Sequence, residues 1–168
     1  IASASRSDEE EAWSGHRSRK AIHGCKAHVA ADADTGLVER LDVTPGNVHD
    51  GRAGGAVVPE NPGAVYADSA YRGAAFASAV EKRGGEPRVV ATHFRAREGD
   101  AAAEARFLAR NAAIHRIRAR VEKIFGTWKR SYGLRRMRWH GLAKAALQVR
   151  LAAMAYNLRR GLNLRRAA

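Results

Sequence analysis

The chain has 168 residues, enough for one compact domain with its own core, and a hydrophobic share of 45% that is ordinary for a globular protein. Its 30 Lys and Arg against 17 Asp and Glu leave a formal charge of +13, which points to a polyanionic partner. A lone Cys25 excludes a disulfide framework and a cysteine-based zinc site, no apolar run nears the roughly 18 residues that span a bilayer, and the start lacks a signal peptide's apolar core, so a cytoplasmic protein is expected.

The charge is uneven. Residues 1–104 hold 13 basic and 16 acidic side chains, whereas residues 105–168 hold 17 basic ones and a single acid, Glu122. Long apolar stretches inside this basic half argue that it folds, against the simpler reading of a solvated Arg-rich tail.

In chain order, residues 1–23 form a polar lead-in read as loop, with Asp8 and a run of glutamates followed by Trp13, His16, Arg17, Arg19 and Lys20. Lys26–Asp32 and Leu37–Thr44 alternate as strands around the turn residues Asp34, Thr35 and Gly36, which predicts an antiparallel hairpin. Asn47, Val48, His49 and Asp50 read as a helix start, with Asn and Asp as capping side chains. A direct active-site role for His49 and Asp50 is the lesser reading. Gly63–Asp68 is a short apolar run ending in an acid, a strand whose last residue emerges at the sheet's C-terminal edge, where open α/β sheets often carry their chemistry. A helix over 71–83 closed by Gly84 and Gly85, then a strand over 88–92, implies a right-handed crossover and parallel pairing. After a charged connection at 94–103, a long helix is expected over 104–130, a break at 132–140, and a last helix over 141–161. That helix buries Leu142, Ala145, Ala146, Val149, Ala152, Ala153 and Tyr156. The domain proper is thus 24–161, and 162–168 is a basic tail.

On a helix advancing about 100° per residue, with His115 at zero, Arg118 falls near 300°, Glu122 near 340° and Lys129 near 320°. These four share one narrow face. Ile114, Ile117, Val121, Ile124, Phe125 and Trp128 form a core-facing stripe beside it, and Arg116, Arg120, Lys123 and Arg130 lie on the opposite flank. The plain reading of Glu122 is an i,i+4 pair with Arg118 worth about 0.2–0.5 kcal/mol. The chemical reading takes Glu122 and the strand-end Asp68 as two carboxylates able to hold Mg²⁺, a hard cation that prefers oxygen ligands. His16, His23 and His28 lack zinc-ligand spacing and read as packing or surface residues. Tyr66 and Tyr71 read as core or rim, and Trp13 and Trp139 as packing residues before base-stacking ones.

The spacing His115-x2-Arg118-x3-Glu122-x6-Lys129 resembles the Y-x2-R-x3-E-x6-K signature of bacterial DDE-type insertion-sequence transposases. Further resemblance runs through Gly24–His28, Asp32–Leu37, Asn47–Asp50, Tyr66–Gly73 and Ile124–Lys129, so that it covers residues 13–160. The resemblance implies a ribonuclease-H-like mixed sheet flanked by helices, with a basic two-helix C-terminal segment. It implies Asp68 and Glu122 as catalytic carboxylates and ligands of Mg²⁺, with Mn²⁺ as a substitute. Arg118, Lys129, His115, Lys123 and Arg130 become DNA-phosphate contacts, the implied partner being double-stranded DNA, both transposon ends and target, bound by a homo-oligomer. The implied reaction is metal-dependent DNA cleavage and strand transfer.

Two departures qualify the match. His115 stands where the signature has tyrosine, which keeps an aromatic hydrogen-bonding group and adds pH sensitivity. The family's first aspartate belongs to a strand ahead of the polar lead-in, and the chain, which starts at Ile1, is expected to begin just after it; Asp8, Asp32 and Asp34 are poor replacements. A catalytically inactive DNA-binding remnant is therefore the alternative from another class, and a basic RNA-binding protein a third.

Overall fold

The computed structural model describes residues 12–16, 19–92 and 100–167. The described strands form two small sheets flanked by helices, a mixed α/β arrangement.

The first sheet is an antiparallel meander of β1 (Ala12–His16), β2 (Arg19–Ala31) and β3 (Val38–Pro45). The hairpin of β2 and β3 is the predicted one, running from Cys25 opposite Pro45 to Ala31 opposite Val38. Its turn is built by Asp32, whose Oδ1 accepts the N–H groups of Asp34 at 3.2 Å and Thr35 at 2.6 Å. Gly36 then takes the left-handed φ of 68° that closes it. The lead-in departs from its loop reading: Ala12 to Ser14 pair with Gly24 to Ile22, and Arg19 already belongs to β2. Strand pairing is made by backbone N–H and C=O groups, so polar side chains need show no alternation when a long partner strand offers its edge.

After β3, His49 caps α1 (Asp50–Ala53), its Nδ1 accepting the Gly51 N–H at 3.1 Å, so the cap is the imidazole and not the expected Asn or Asp. A 3-10 turn, Gly54–Val57, leads on to β4 (Ala64–Ala67). The crossover follows as predicted in kind, through a 3-10 turn at Ser69–Tyr71 and α2 (Ala74–Glu81) to β5 (Glu86–Val89), parallel to β4. The helix starts later than expected because Asp68 caps the 3-10 turn and Gly73, at φ 157°, separates that turn from α2. Val58, Ala67, Phe76 and Val80 make a compact core here.

Of the charged connection, residues up to 99 lie outside the described ones. Asp100 then caps α3 (Ala101–Ser131), its carboxylate accepting the Ala103 N–H at 2.8 Å, which moves the helix start ahead of the expected 104. At about 1.5 Å per residue this helix is some 46 Å long and spans both sheets. Its first half holds the β5 end: Asn111 exchanges two hydrogen bonds with the Ala91 backbone, at 3.2 and 2.8 Å. Its second half buries Ile124 and Trp128 against Val38 and Val43 of the hairpin. The last helix, α4 (Leu142–Ala167), contributes Ala146, Val149 and Ala153 to that core, the predicted stripe. It runs through the expected basic tail, since Leu, Asn and Arg continue it without a Gly or Pro stop after Gly161.

Candidate functional site

Asp68 follows directly on β4, so the strand delivers its carboxylate to the sheet's C-terminal edge. The side chain is held on both sides. Its Oδ1 accepts the Ser69 N–H at 2.5 Å and the Ser69 hydroxyl at 3.1 Å, while its Oδ2 accepts Arg118 Nη2 at 2.8 Å. Arg118 comes from the middle of α3, 50 residues away in sequence, and is the less exposed of the pair, 18% against 45% for Asp68. Its Nη1 lies 3.5 Å from His115 Nδ1, one turn earlier on the same helix face. Thus His115, Arg118 and Asp68 are brought together, and the i,i+4 pairing of Arg118 with Glu122 gives way to the ion pair with Asp68. Asp68 is a fixed acceptor because Ser69 holds its other oxygen, whereas Glu122 is a longer, exposed side chain that loses more freedom in forming the pair.

Glu122 sits on the exposed face of α3, one turn beyond Arg118. Lys129, also exposed, lines a cavity of about 230 Å³ with Lys26, Cys25, Phe125 and Trp128. Lys123 and Arg130 are exposed on the other flank, and Lys123 belongs to a different, larger cavity. Of the six expected residues on α3, Arg118 makes the contact with Asp68 and His115 lies beside Arg118.

The surroundings of Asp68 include groups that the sequence left as packing or capping residues. Tyr71 lies in the turn that Asp68 caps, its ring against Phe76 at 5.3 Å between centroids. The Tyr71 hydroxyl is pushed up to about 12, first by burial and then by the Asp50 and Asp68 carboxylates, with Arg118 opposing. It is therefore a neutral donor at any physiological pH. Gly54 makes room for that ring, because a Cβ at this position would overlap it. Asp50 in turn receives Lys26 Nζ at 3.2 Å, and the same amine donates to the Val48 carbonyl at 3.0 Å. The pairing of Lys26 with Asp50 joins β2 to α1 across 24 residues, a separation at which no local pattern announces it. Tyr71 was foreshadowed only by lying within the Tyr66–Gly73 stretch that carries the family resemblance.

The donor chemistry suits a hard divalent cation: Asp68 and Glu122 are carboxylates, and one is fixed at a strand end. Among the described residues no group of three or more His, Cys, Asp or Glu side chains converges as a metal cluster. Also among the described residues, no helix is long and apolar enough to cross a membrane.

No solved structure matches the chain. A family model described as the transposase DDE domain matches residues 2–158, nearly the whole length. The chain belongs to that family and is a DDE-type transposase.

Proposed function

We propose that this member of a family acting on DNA with divalent metal ions carries out Mg²⁺-dependent DNA cleavage and strand transfer in the transposition of an insertion sequence, with Asp68 and Glu122 as the catalytic carboxylates. The observation that carries the reading is the 2.8 Å ion pair between Arg118 and Asp68, which ties the helix face bearing Glu122 to the C-terminal edge of β4. That strand–helix juxtaposition is also what supports a ribonuclease-H-like arrangement and the Y-x2-R-x3-E-x6-K subgroup, with His115 in the tyrosine's place.

In this reading Asp68 and Glu122 hold Mg²⁺, with Mn²⁺ able to replace it. The bound metal supplies Lewis-acid activation of a phosphodiester and of the water or 3′-hydroxyl that attacks it. Arg118 keeps one N–H on Asp68 and offers the rest of its fork to a phosphate, its position steadied by His115. Lys129 adds a point charge further along the same face, and Lys123 and Arg130, on the other flank, take phosphates of DNA that lies away from Asp68. The partner is double-stranded DNA, transposon ends and target, in the bacterial cytoplasm. A homo-oligomer on DNA is supported by an exposed apolar stripe on α4 formed by Leu147, Leu151, Met154, Leu158 and Leu162.

The test is nicking of DNA carrying the element's terminal repeats with Mg²⁺ present. Asp68→Asn and Glu122→Gln each abolish nicking while duplex binding persists. Cleavage retained by Glu122→Gln would refute the assignment.

A further inference from the structure

On the side of α3 turned away from Asp68, a cavity of about 580 Å³ opens between α3, α4 and the β2–β3 turn. Arg120 and Lys123 enter it from α3, and Arg159, Arg160 and Asn163 from α4, facing a single acid, Asp34. Four cations here face one lining carboxylate, that of Asp34, with Asp32 of the same turn near enough to feel the Arg120 charge, so they outnumber the acids that could neutralise them. Two are anchored by backbone carbonyls instead: Arg120 Nη1 donates to Asp34 O at 3.0 Å, and Arg160 Nε to Thr35 O at 2.7 Å. Each guanidinium thereby spends one of its five N–H donors and keeps the others. Lys123 and Arg159 have no side-chain hydrogen bond or ion pair among the described residues. Like charges gathered from two helices and fixed by neutral groups are repulsive until an anion lies between them.

We infer that this cleft is a second nucleic-acid site, which grips the phosphate backbone of a separate segment of duplex DNA. The α3 wall from Arg120 to Ser131 is about 16 Å long. Such a length corresponds to about five base-pair steps of duplex at about 3.4 Å of axis each, and exceeds what a single phosphate ion would fill. Duplex is favoured over single strands because the two tyrosines of the cleft, Tyr132 and Tyr156, are half-buried against the hairpin core, and the Tyr156 hydroxyl is tied to the Gly36 carbonyl, so neither is a free-standing platform for base stacking. The segment is separate because Arg120 and Lys123 lie about 140° and 80° around the helix from His115, against about 300° and 340° for Arg118 and Glu122. DNA seated at Asp68 thus lies about 100–160° around a helix about 10–12 Å wide.

The experiment titrates short random-sequence duplex DNA against the full chain carrying Glu122→Gln, so that no cleavage intervenes, with stoichiometry read by calorimetry and affinity by anisotropy across a salt series. The parent binds two duplexes per chain. Adding Lys123→Gln and Arg159→Gln, both at exposed positions, removes one of the two and lowers the slope of log affinity against log salt by about 2, close to 0.9 per lost phosphate contact. The charge-keeping pair Lys123→Arg and Arg159→Lys restores the second duplex and separates lost charge from lost fold. Unchanged stoichiometry and slope in the glutamine pair overturn the inference, as does single-stranded RNA displacing the second duplex more strongly than DNA does. Nicking by the Glu122→Gln chain would refute the catalytic assignment and leave these readings intact.

Discussion

His28 shows how a single buried side chain couples the hairpin to pH. It is only 2% exposed, and its Nε2 lies 2.9 Å from the Thr44 hydroxyl on the neighbouring strand. Burial disfavours the charged ring and lowers its pKa from the ordinary 6.5, a shift that Asp50 and Asp42 resist and Lys26 assists. The sign follows directly. As pH falls through about 6.5 the unfolded chain takes up this proton before the folded one does, so stability declines until the lower native pKa is reached. Above 6.5 both states hold the neutral ring and the residue adds no pH dependence. In His28→Gln the amide can still meet the Thr44 hydroxyl but does not titrate. Urea unfolding in steps below neutrality should show the wild-type losing stability relative to the variant, and parallel curves would refute the buried neutral ring.

At the scale of elements, two asparagines do the work of splints. Asn157 of α4 exchanges hydrogen bonds with both backbone groups of Val38 at the start of β3, at 2.9 and 2.7 Å, as Asn111 of α3 does with Ala91 beyond β5. Each helix is thereby fixed in register on a strand end and not merely packed against its face. Asn157→Ala leaves a buried N–H and C=O without partners, and should cost about 2–4 kcal/mol in urea unfolding, since an orphaned buried group costs about 1–3 kcal/mol. A loss below about 0.5 kcal/mol would mean that water replaces the amide. Periodicity located α3 and α4 because an apolar stripe is a local property, repeating every turn. Their ends were misplaced because caps set them: Asp100 begins α3 earlier, and the absence of a stop carries α4 through the basic tail. Strand β1 was hidden for a related reason, its existence depending on the edge of β2 and not on its own polar residues. The Asn157 contact joins residues 119 apart, and no spacing rule reaches so far.

For the whole molecule, the same division between local and distant information governs the site and the charge. The face of His115, Arg118, Glu122 and Lys129 was legible because helical angle follows from residue number; the pairing of Arg118 with Asp68 was not, because only the fold brings α3 to β4. Charge adds up over the chain irrespective of fold, so the +13 was plain from the start, but its cost depends on where the cations meet. In residues 105–168, 17 bases accompany one acid, and these residues supply α4 and most of α3, whose cations converge on the cleft at Arg120, Lys123, Arg159 and Arg160. Against this repulsion stand ion pairs such as those of Arg83 with Glu60 and Arg88 with Glu86, exposed on at least one side and therefore weak. Screening weakens both effects, since the Debye length shrinks from about 30 Å at 0.01 M to about 8 Å at 0.15 M. The repulsive set is larger, so the melting temperature should rise by a few degrees as NaCl increases over that range, the reverse of a fold held by surface salt bridges. Thermal unfolding followed by circular dichroism checks this. Duplex DNA at low salt should raise the melting temperature further, by placing phosphates where the cations face one another. A melting temperature that falls with salt would mean that ion pairs outweigh the repulsion in the basic half.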